Sequence, residues 1–571
     1  MNEIEVRLVP PRANTAGPAA KGSGATGGGR GVKIAAGTTV KSLLPGLGVP
    51  EEQIAAVKVN NGILPLSARL DINVSLEPVL INSPEGAMIY RRSLSFLLAM
   101  AARNLFPDRT LYVGHSLGNS YYYTFVKGQK PSEREVELLK QAMLSLVEEN
   151  IPINAVFLAY GEALELFKKN SQEDTAMLLD QHNSAMIRIN ECKDFADIYI
   201  EPLVPRTGLL SAFDLVPYKE GFLLRFPGIG RGNVIDPFED SPLIFSIYEE
   251  YKKWGRIVDV HSVGKLNRKV SDGSIRDYIR IAESFQARKL GEIAQKIYDR
   301  RNSVRAVFIA GPSSSGKTTT AKRLAIELMV TGLKPIAISL DDYFLGTEKT
   351  PLDENGQPDF ECLEALDIPF LNRQLLDLFA CKEVVLPVFD FKASRRREES
   401  GGKICMEERR SILIIEGIHG LNDALTPQID PAFKFKLYVS ALTQLNLDDH
   451  NRIPTSDNRL LRRMVRDYQF RAKDAAGTIT MWPSVQRGER KHIFPFQNSA
   501  DAAFNSALDY EVSVLKYYAD PLLRAVKPGS PQYSEADRLL SFLENFTPIP
   551  PQHVPGTSIL REFIGESEFK Y

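Results

Sequence analysis

Residues 304–310, Val-Arg-Ala-Val-Phe-Ile-Ala, run without a break into Gly311-Pro-Ser-Ser-Ser-Gly316-Lys317-Thr318, and a helix-like stretch, TTAKRLAIELMV, follows. Strand, Gly-x-x-x-x-Gly-Lys-Ser/Thr loop and helix stand in the order that a phosphate-binding loop requires. Glycines let successive backbone N–H groups face an anion at the start of a helix, so Gly311, Ser313, Ser314, Ser315, Gly316, Lys317, Thr318 and Thr319 are the expected nucleotide cradle. Lys317 reaches the outer phosphates, and the Thr318 hydroxyl is placed to ligate Mg²⁺. The plainer alternative is a glycine-rich turn with a surface lysine.

Around this motif the pattern alternates. Strand-like KPIAISL, helix-like DIPFLNRQLLDLFA and strand-like RSILIIEG follow in turn, which predicts a parallel sheet with crossover helices. In such sheets the carboxyl ends of the strands carry the site. KPIAISL ends in Asp341-Asp342, one of which is placed to take a proton from a hydroxyl, and SILIIEG ends in Glu416, where a carboxylate can hold a metal shell. Helix N-capping by the aspartates and solvation of Glu416 are the alternatives. Arg459, Arg462, Arg463 and Arg466 recur at helical spacing, either as a phosphate clamp or as a solvated basic face. The run Arg395-Arg396-Arg397 reads equally as cover for an anionic substrate or as exposed surface.

Upstream the character differs. Residues 1–82 hold short β-branched runs, a short helix opened by Thr38 or Thr39, and an Asn60-Asn61-Gly62 turn, which suit a β-grasp domain interrupted by a flexible Gly/Ala-rich loop at 17–31. Residues 83–235 read as a second, α+β domain, with helices over 86–104 and 133–149, the latter started by Ser132, and a β stretch between them. Residues 236–302 read as helices with 275–298 the longest run, either a helical linker or the entry to the next domain, and 303–571 as the α/β P-loop domain. The chain is thus multidomain.

Lys+Arg total 70 against 71 Asp+Glu, a net charge of −1, which argues against a broadly cationic nucleic-acid coat. The four cysteines are far apart and form no CxxC pair, suggesting neither a disulfide framework nor a structural zinc site. No apolar run is long enough to span a bilayer. A cytoplasmic protein without membrane contact is expected.

Several motifs between residues 304 and 515 resemble, in order, those of the uridine kinase and phosphoribulokinase family. Ile338-Ser-Leu-Asp341-Asp-Tyr-Phe344 resembles the strand end bearing that family's base, which falls on Asp341 rather than Asp342. Phe360-Glu-Cys-Leu-Glu-Ala-Leu-Asp367 resembles the acidic segment that follows, Pro387-Val-Phe-Asp390-Phe391 the substrate strand, and Ile415-Glu-Gly-Ile418 the Glu-Gly-Ile strand end. Arg462-Arg-Met-Val-Arg466-Asp467 resembles the arginine-rich lid helix. Residues 1–82 resemble the small β-grasp (TGS) domain of threonyl-tRNA synthetase. Phe96-Leu-Leu-Ala99, Asn104-Leu-Phe-Pro107 and Val204-Pro-Arg-Thr-Gly208 make 83–235 resemble its editing domain. Where that enzyme has a His-x-x-x-His helix and a Cys-x-x-x-His segment, this chain has Arg92, Phe96, Tyr199 and Leu203, implying a binding or scaffolding domain without metal or hydrolytic activity. His115 and His182 read as ordinary polar contacts.

The resemblance implies an ATP- and Mg²⁺-dependent kinase acting on the 5′-hydroxyl of a nucleoside such as uridine. Asp341 is the implied base, Lys317 and Arg466 the phosphate clamps, Thr318 and Glu416 the metal group, and Phe389, Asp390, Arg395, Arg463 and Arg471 the acceptor contacts. The family's tyrosine and histidine that hold the pyrimidine are replaced by Phe389, which keeps a stacking face but no hydroxyl, and by Ser394, and a lid arginine by Lys473, so weak base selectivity is expected. The rival reading is an RNA- or ribosome-associated, ATP-dependent regulator whose N-terminal half contacts RNA. Neither reading excludes an oligomer.

Overall fold

Asn60 and Asn61 both take left-handed backbone angles, φ 48° and 66°, and join strand Ile54–Val59 to strand Gly62–Leu64. A two-residue loop with both φ positive is the hairpin turn whose twist matches its strands. The computed structural model describes residues 3–11, 29–126, 130–353, 356–390, 395–397 and 401–570. The loop expected at 17–31 lies outside the described residues as far as 28, and Arg30 already opens strand Arg30–Ala35. That strand, Glu3–Leu8, Val74–Leu80, Ile54–Val59 and Gly62–Leu64 form one sheet in this order, with Glu3–Leu8 parallel to Val74–Leu80. A two-strand parallel centre flanked by antiparallel neighbours is the β-grasp layout expected. The short helix becomes a 3₁₀ segment, Val40–Leu47, because Thr38–Thr39 pair with Arg69–Leu70 instead of capping through a hydroxyl.

Helix Pro84–Leu105 starts at Ser83, whose hydroxyl accepts from Gly86 N. Helix Glu133–Glu149 starts at the expected Ser132, with Glu135 completing a reciprocal capping box. These helices cover a four-stranded antiparallel sheet, and a three-stranded sheet carries a second small core around Phe167.

In the C-terminal region five parallel strands lie in the order Lys334–Ser339, Ser411–Glu416, Ala306–Ala310, Lys434–Ser440 and Ala502–Asn505. Ala306–Ala310 is buried at every position, as a central strand covered on both faces must be.

Residues 236–302 pack with the sheet that follows them. Helices Pro242–Ile257, Val263–Ser271 and Ile275–Asp299 contribute to the same apolar cores as the parallel sheet, and Ile275–Asp299 lies against Lys317–Val330. Trp254 stacks on Phe285 at 4.5 Å. Tyr278 donates to Asp509 at 2.9 Å and Tyr510 donates to Glu283 at 2.6 Å.

The N-terminal half is joined to the loop that precedes helix Thr455–Arg471. His450 Nδ1 meets Asp197 at 2.8 Å, Asn451 donates to Ile198 O at 2.9 Å, and Asn446 donates to Val113 O at 2.7 Å. Burial alone would lower the His450 pKa, but Asp197, Asp449 and Asp448 hold it up at about 9. Among the described residues no helix is long and apolar enough to cross a membrane.

Candidate active site

The P-loop is shaped by two backbone demands. Gly316 has φ 79°, a conformation that a β-carbon resists, and Gly311 passes so close to the next strand that a β-carbon would lie 1.9 Å from Val439 O. Ser314 also has positive φ, 58°, so the loop alternates handedness and turns its N–H groups inward. Lys317 Nζ donates to Gly311 O at 3.0 Å and Pro312 O at 3.2 Å. Thr318 Oγ1 donates to Glu416 Oε1 at 3.3 Å. That hydroxyl and carboxylate, adjacent at the helix start, are a donor set fitted to a divalent ion.

Register explains why these groups meet. Glu416 pairs with Ile309 on one side and Ser339 on the other, so the ends of three strands and the P-loop share one edge of the sheet. Burial pushes Glu416 up to about 7, with Asp341 and Glu562 acting in the same direction against Lys317. Asp341, at the strand end, keeps solvent-exposed surface. The protein crowded around it raises its pKa, with Lys317, Arg471 and Arg466 opposing. The neighbouring Asp342 is engaged differently, accepting from Phe389 N at 3.0 Å. A third carboxylate, Glu361, is pushed up to about 7 by burial and by Glu489, and it too feels Lys317 and Arg463. Sequence reasoning passed over Glu361 as one residue of an acidic segment.

The arginines of helix Thr455–Arg471 divide into two sets. Arg459 is ion-paired with Glu489 and donates to Ser313 O at 2.9 Å. Arg462 is wholly buried, pairs with Glu511, and donates to Ser506 O at 2.9 Å and Ser314 O at 3.3 Å. Both brace the loop from behind through its carbonyls, so the reading of all four as one clamp or one solvated face is corrected. Arg463 and Arg466 reach the loop hydroxyls instead, at 2.7 Å from Ser313 Oγ and 3.4 Å from Ser314 Oγ. Burial lowers the Arg466 pKa to about 10, and Arg471 adds to the effect. Arg471 is half exposed and meets Asp467 at 3.3 Å, as Arg463 does.

The two sets should separate on mutation. Arg462→Met strands Glu511 in the interior and is expected to cost about 3–5 kcal/mol in the unfolding transition of this region, with much of it regained in Arg462→Met/Glu511→Leu. A single substitution that leaves the denaturant midpoint unmoved would contradict the bracing role.

The acceptor candidates are only partly gathered. Phe389 is 6% exposed, its ring edge-on to Phe344 at 5.6 Å in an apolar core, so it does not offer the open stacking face expected. Asp390 is paired with Arg397 at 2.5 Å. Arg396 pairs with Asp367 at 2.9 Å and lies over Phe370, whereas Arg395 is exposed beside them. Ser394 lies outside the described residues.

At the positions that depart from the editing pattern, Arg92 is ion-paired with Glu201 and Phe96 is fully buried, its ring 5.0 Å from Phe195 and 6.0 Å from Tyr199. Leu203 is buried in the same core. His115 is buried against Tyr248, and His182 meets Asn545 at 3.1 Å.

Residues 306–513 match the model of the Phosphoribulokinase / Uridine kinase family. That match lies wholly within the C-terminal region, over the P-loop and the parallel sheet. The N-terminal half matches threonine–tRNA ligases. That of Desulforamulus reducens is 34% identical over 187 residues, 32% of this chain and 29% of the ligase. The second such ligase of Bacillus subtilis is 29% identical over 185 residues, 32% of this chain and 28% of the ligase. The chain spans less than a third of the length of either. A solved D-glycerate 3-kinase from Cryptococcus neoformans aligns at 15% identity and a TM-score of 0.22, over 45% of this chain and 87% of that one.

Proposed function

We propose that the C-terminal region transfers the γ-phosphoryl group of ATP to a hydroxyl of a small molecule, a nucleoside being the first candidate. The observation that carries the reading is the division of labour at the strand end: Asp342 is bound to Phe389 N, while Asp341 keeps exposed surface within the field of Lys317, Arg466 and Arg471. Asp341 takes the hydroxyl proton as the oxygen attacks. Lys317 neutralises charge on the outer phosphates, and Arg466 clamps the group in transfer. Thr318 and Glu416 would hold Mg²⁺, whose charge offsets that of the phosphates. We take the kinase unit to begin with helix Pro242–Ile257 rather than at residue 303, since that helix and its two successors share the core of the sheet.

A buried Phe389 leaves the acceptor site without one polar contact to a base, so selectivity between bases should be low. A phosphorylation screen over nucleosides, ribose phosphates and sugars, with and without RNA, tests this. The expected result is ATP-dependent phosphorylation of uridine and cytidine within about tenfold of each other. Strict uridine selectivity would contradict it, and inactivity on every nucleoside would move the acceptor to a sugar or a phosphorylated sugar. The likeness of the N-terminal half to tRNA ligases favours a second reading, an RNA-associated regulator. ATP turnover that needs RNA and no small acceptor would select it.

A further inference from the structure

Glu562 lies in the short helix Arg561–Ile564, beyond the residues that match the kinase family, yet its carboxylate is seated on the P-loop helix. Its Oε2 accepts from the Thr319 backbone N–H at 3.2 Å and from the Thr319 hydroxyl at 2.6 Å. Its Oε1 faces Arg466 Nη1 at 3.6 Å. Thr319 is the third residue of helix Lys317–Val330, in the first turn, where N–H groups face out of the helix start. It is one of the donors that a P-loop offers to the inner phosphates of a nucleotide. One carboxylate therefore holds both a phosphate donor and the arginine assigned to the clamp.

The contact is supported from all sides. Ile559, Leu560 and Phe563 are fully buried. Ile559 abuts the loop so closely that a β-carbon on Gly316 would lie 2.6 Å from its Cγ2. Arg561 fixes the turn before it by donating to Val554 O at 2.7 Å and Pro551 O at 3.0 Å. Arg462 lies over the Phe563 ring at 4.9 Å. Glu562 is thus delivered to Thr319 by apolar packing rather than left to find it.

We propose that Glu562 is a built-in anion that competes with the inner phosphates of the nucleotide at Thr319 and so sets nucleotide affinity. The inference rests on the reading of the P-loop as a nucleotide site. A carboxylate and a phosphate cannot both accept from the same N–H at full strength, and their charges repel. Entry of the triphosphate displaces Glu562 from Thr319 and at the same step frees Arg466 to turn to the phosphates. Gly316 at the helix cap has no side chain, so a cap supplied by a distant residue would use the same bonds. The two roles part company on substitution.

ATP binding to the full chain by titration calorimetry, with thermal unfolding in parallel, is the test. Glu562→Gln keeps the length of the side chain and an acceptor oxygen but not the charge. It is expected to tighten ATP about tenfold, by removing the occupancy that ATP must displace. Arg466→Ala should then cost more affinity in the Glu562→Gln background than alone. Unchanged or weaker ATP binding in Glu562→Gln, with wild type binding measurably, would overturn the competition and leave a helix cap. Absence of ATP binding from both would overturn it together with the nucleotide-site reading. Should Glu562→Gln fail to fold, Glu562→Asp withdraws the carboxylate by one carbon, and the same tightening, or its absence, decides.

Discussion

Lys317→Ala is expected to lower phosphoryl transfer by about 10²–10³-fold, the loss typical of removing one preorganised group that stabilises charge in the transition state. Its ammonium sits within the loop, 3.0 Å from Gly311 O and 3.2 Å from Pro312 O. Arg459 and Arg462, held behind the loop by Glu489 and Glu511, are not placed to substitute for it. The measurement is the rate of acceptor phosphorylation at saturating ATP. Near-normal turnover would remove the P-loop from the chemistry.

Asp341→Asn should retain ATP binding and lose about 10²-fold or more in turnover, because an amide cannot accept the proton. Asp342→Asn is the control. Its amide oxygen can still accept from Phe389 N, so the strand end keeps its shape and turnover should stay close to wild type. The reverse ranking would exchange the two roles. The acid limb of the pH profile gives a second reading. Surrounding protein holds Asp341 above the ordinary carboxylate range, and the base acts only when deprotonated, so kcat/KM should rise with pH through that raised value. An acid limb at the ordinary carboxylate range would show that another group controls it.

What sequence made legible was local. The strand, Gly311–Thr318 loop and helix, the helix start at Ser132, and the Asn60-Asn61 turn each depend on residues within a few positions of one another, and each is found where it was expected. The roles of Arg459 and Arg462 were not legible. A basic helix face has the same spacing whether it meets phosphate or carboxylate, and the deciding carboxylates, Glu489 and Glu511, lie 30 and 49 residues further on. Strand Ala502–Asn505 is too short to announce itself by alternation, and it pairs with Lys434–Ser440 over some sixty residues. Phe389 was read as a stacking face because its residue type allows one, but only the surrounding core shows that its ring is covered. Helix Ile275–Asp299 showed its periodicity plainly. Which surface its apolar stripe would meet is not written in a period.

The seating of Glu562 on Thr319 also orders events during synthesis. The two residues are separated by 243 positions, and Ser506, which donates to Ser315 O, comes 191 positions after it. At about 5–20 residues per second, Glu562 is added roughly 12–50 s after Thr319. Through that interval the Thr319 donors can meet only water, dissolved anions or the rest of the growing chain. A phosphate compound in the surrounding solution can therefore reach Thr319 before the chain's own carboxylate exists, and on the proposed competition it meets no rival there until Glu562 is added.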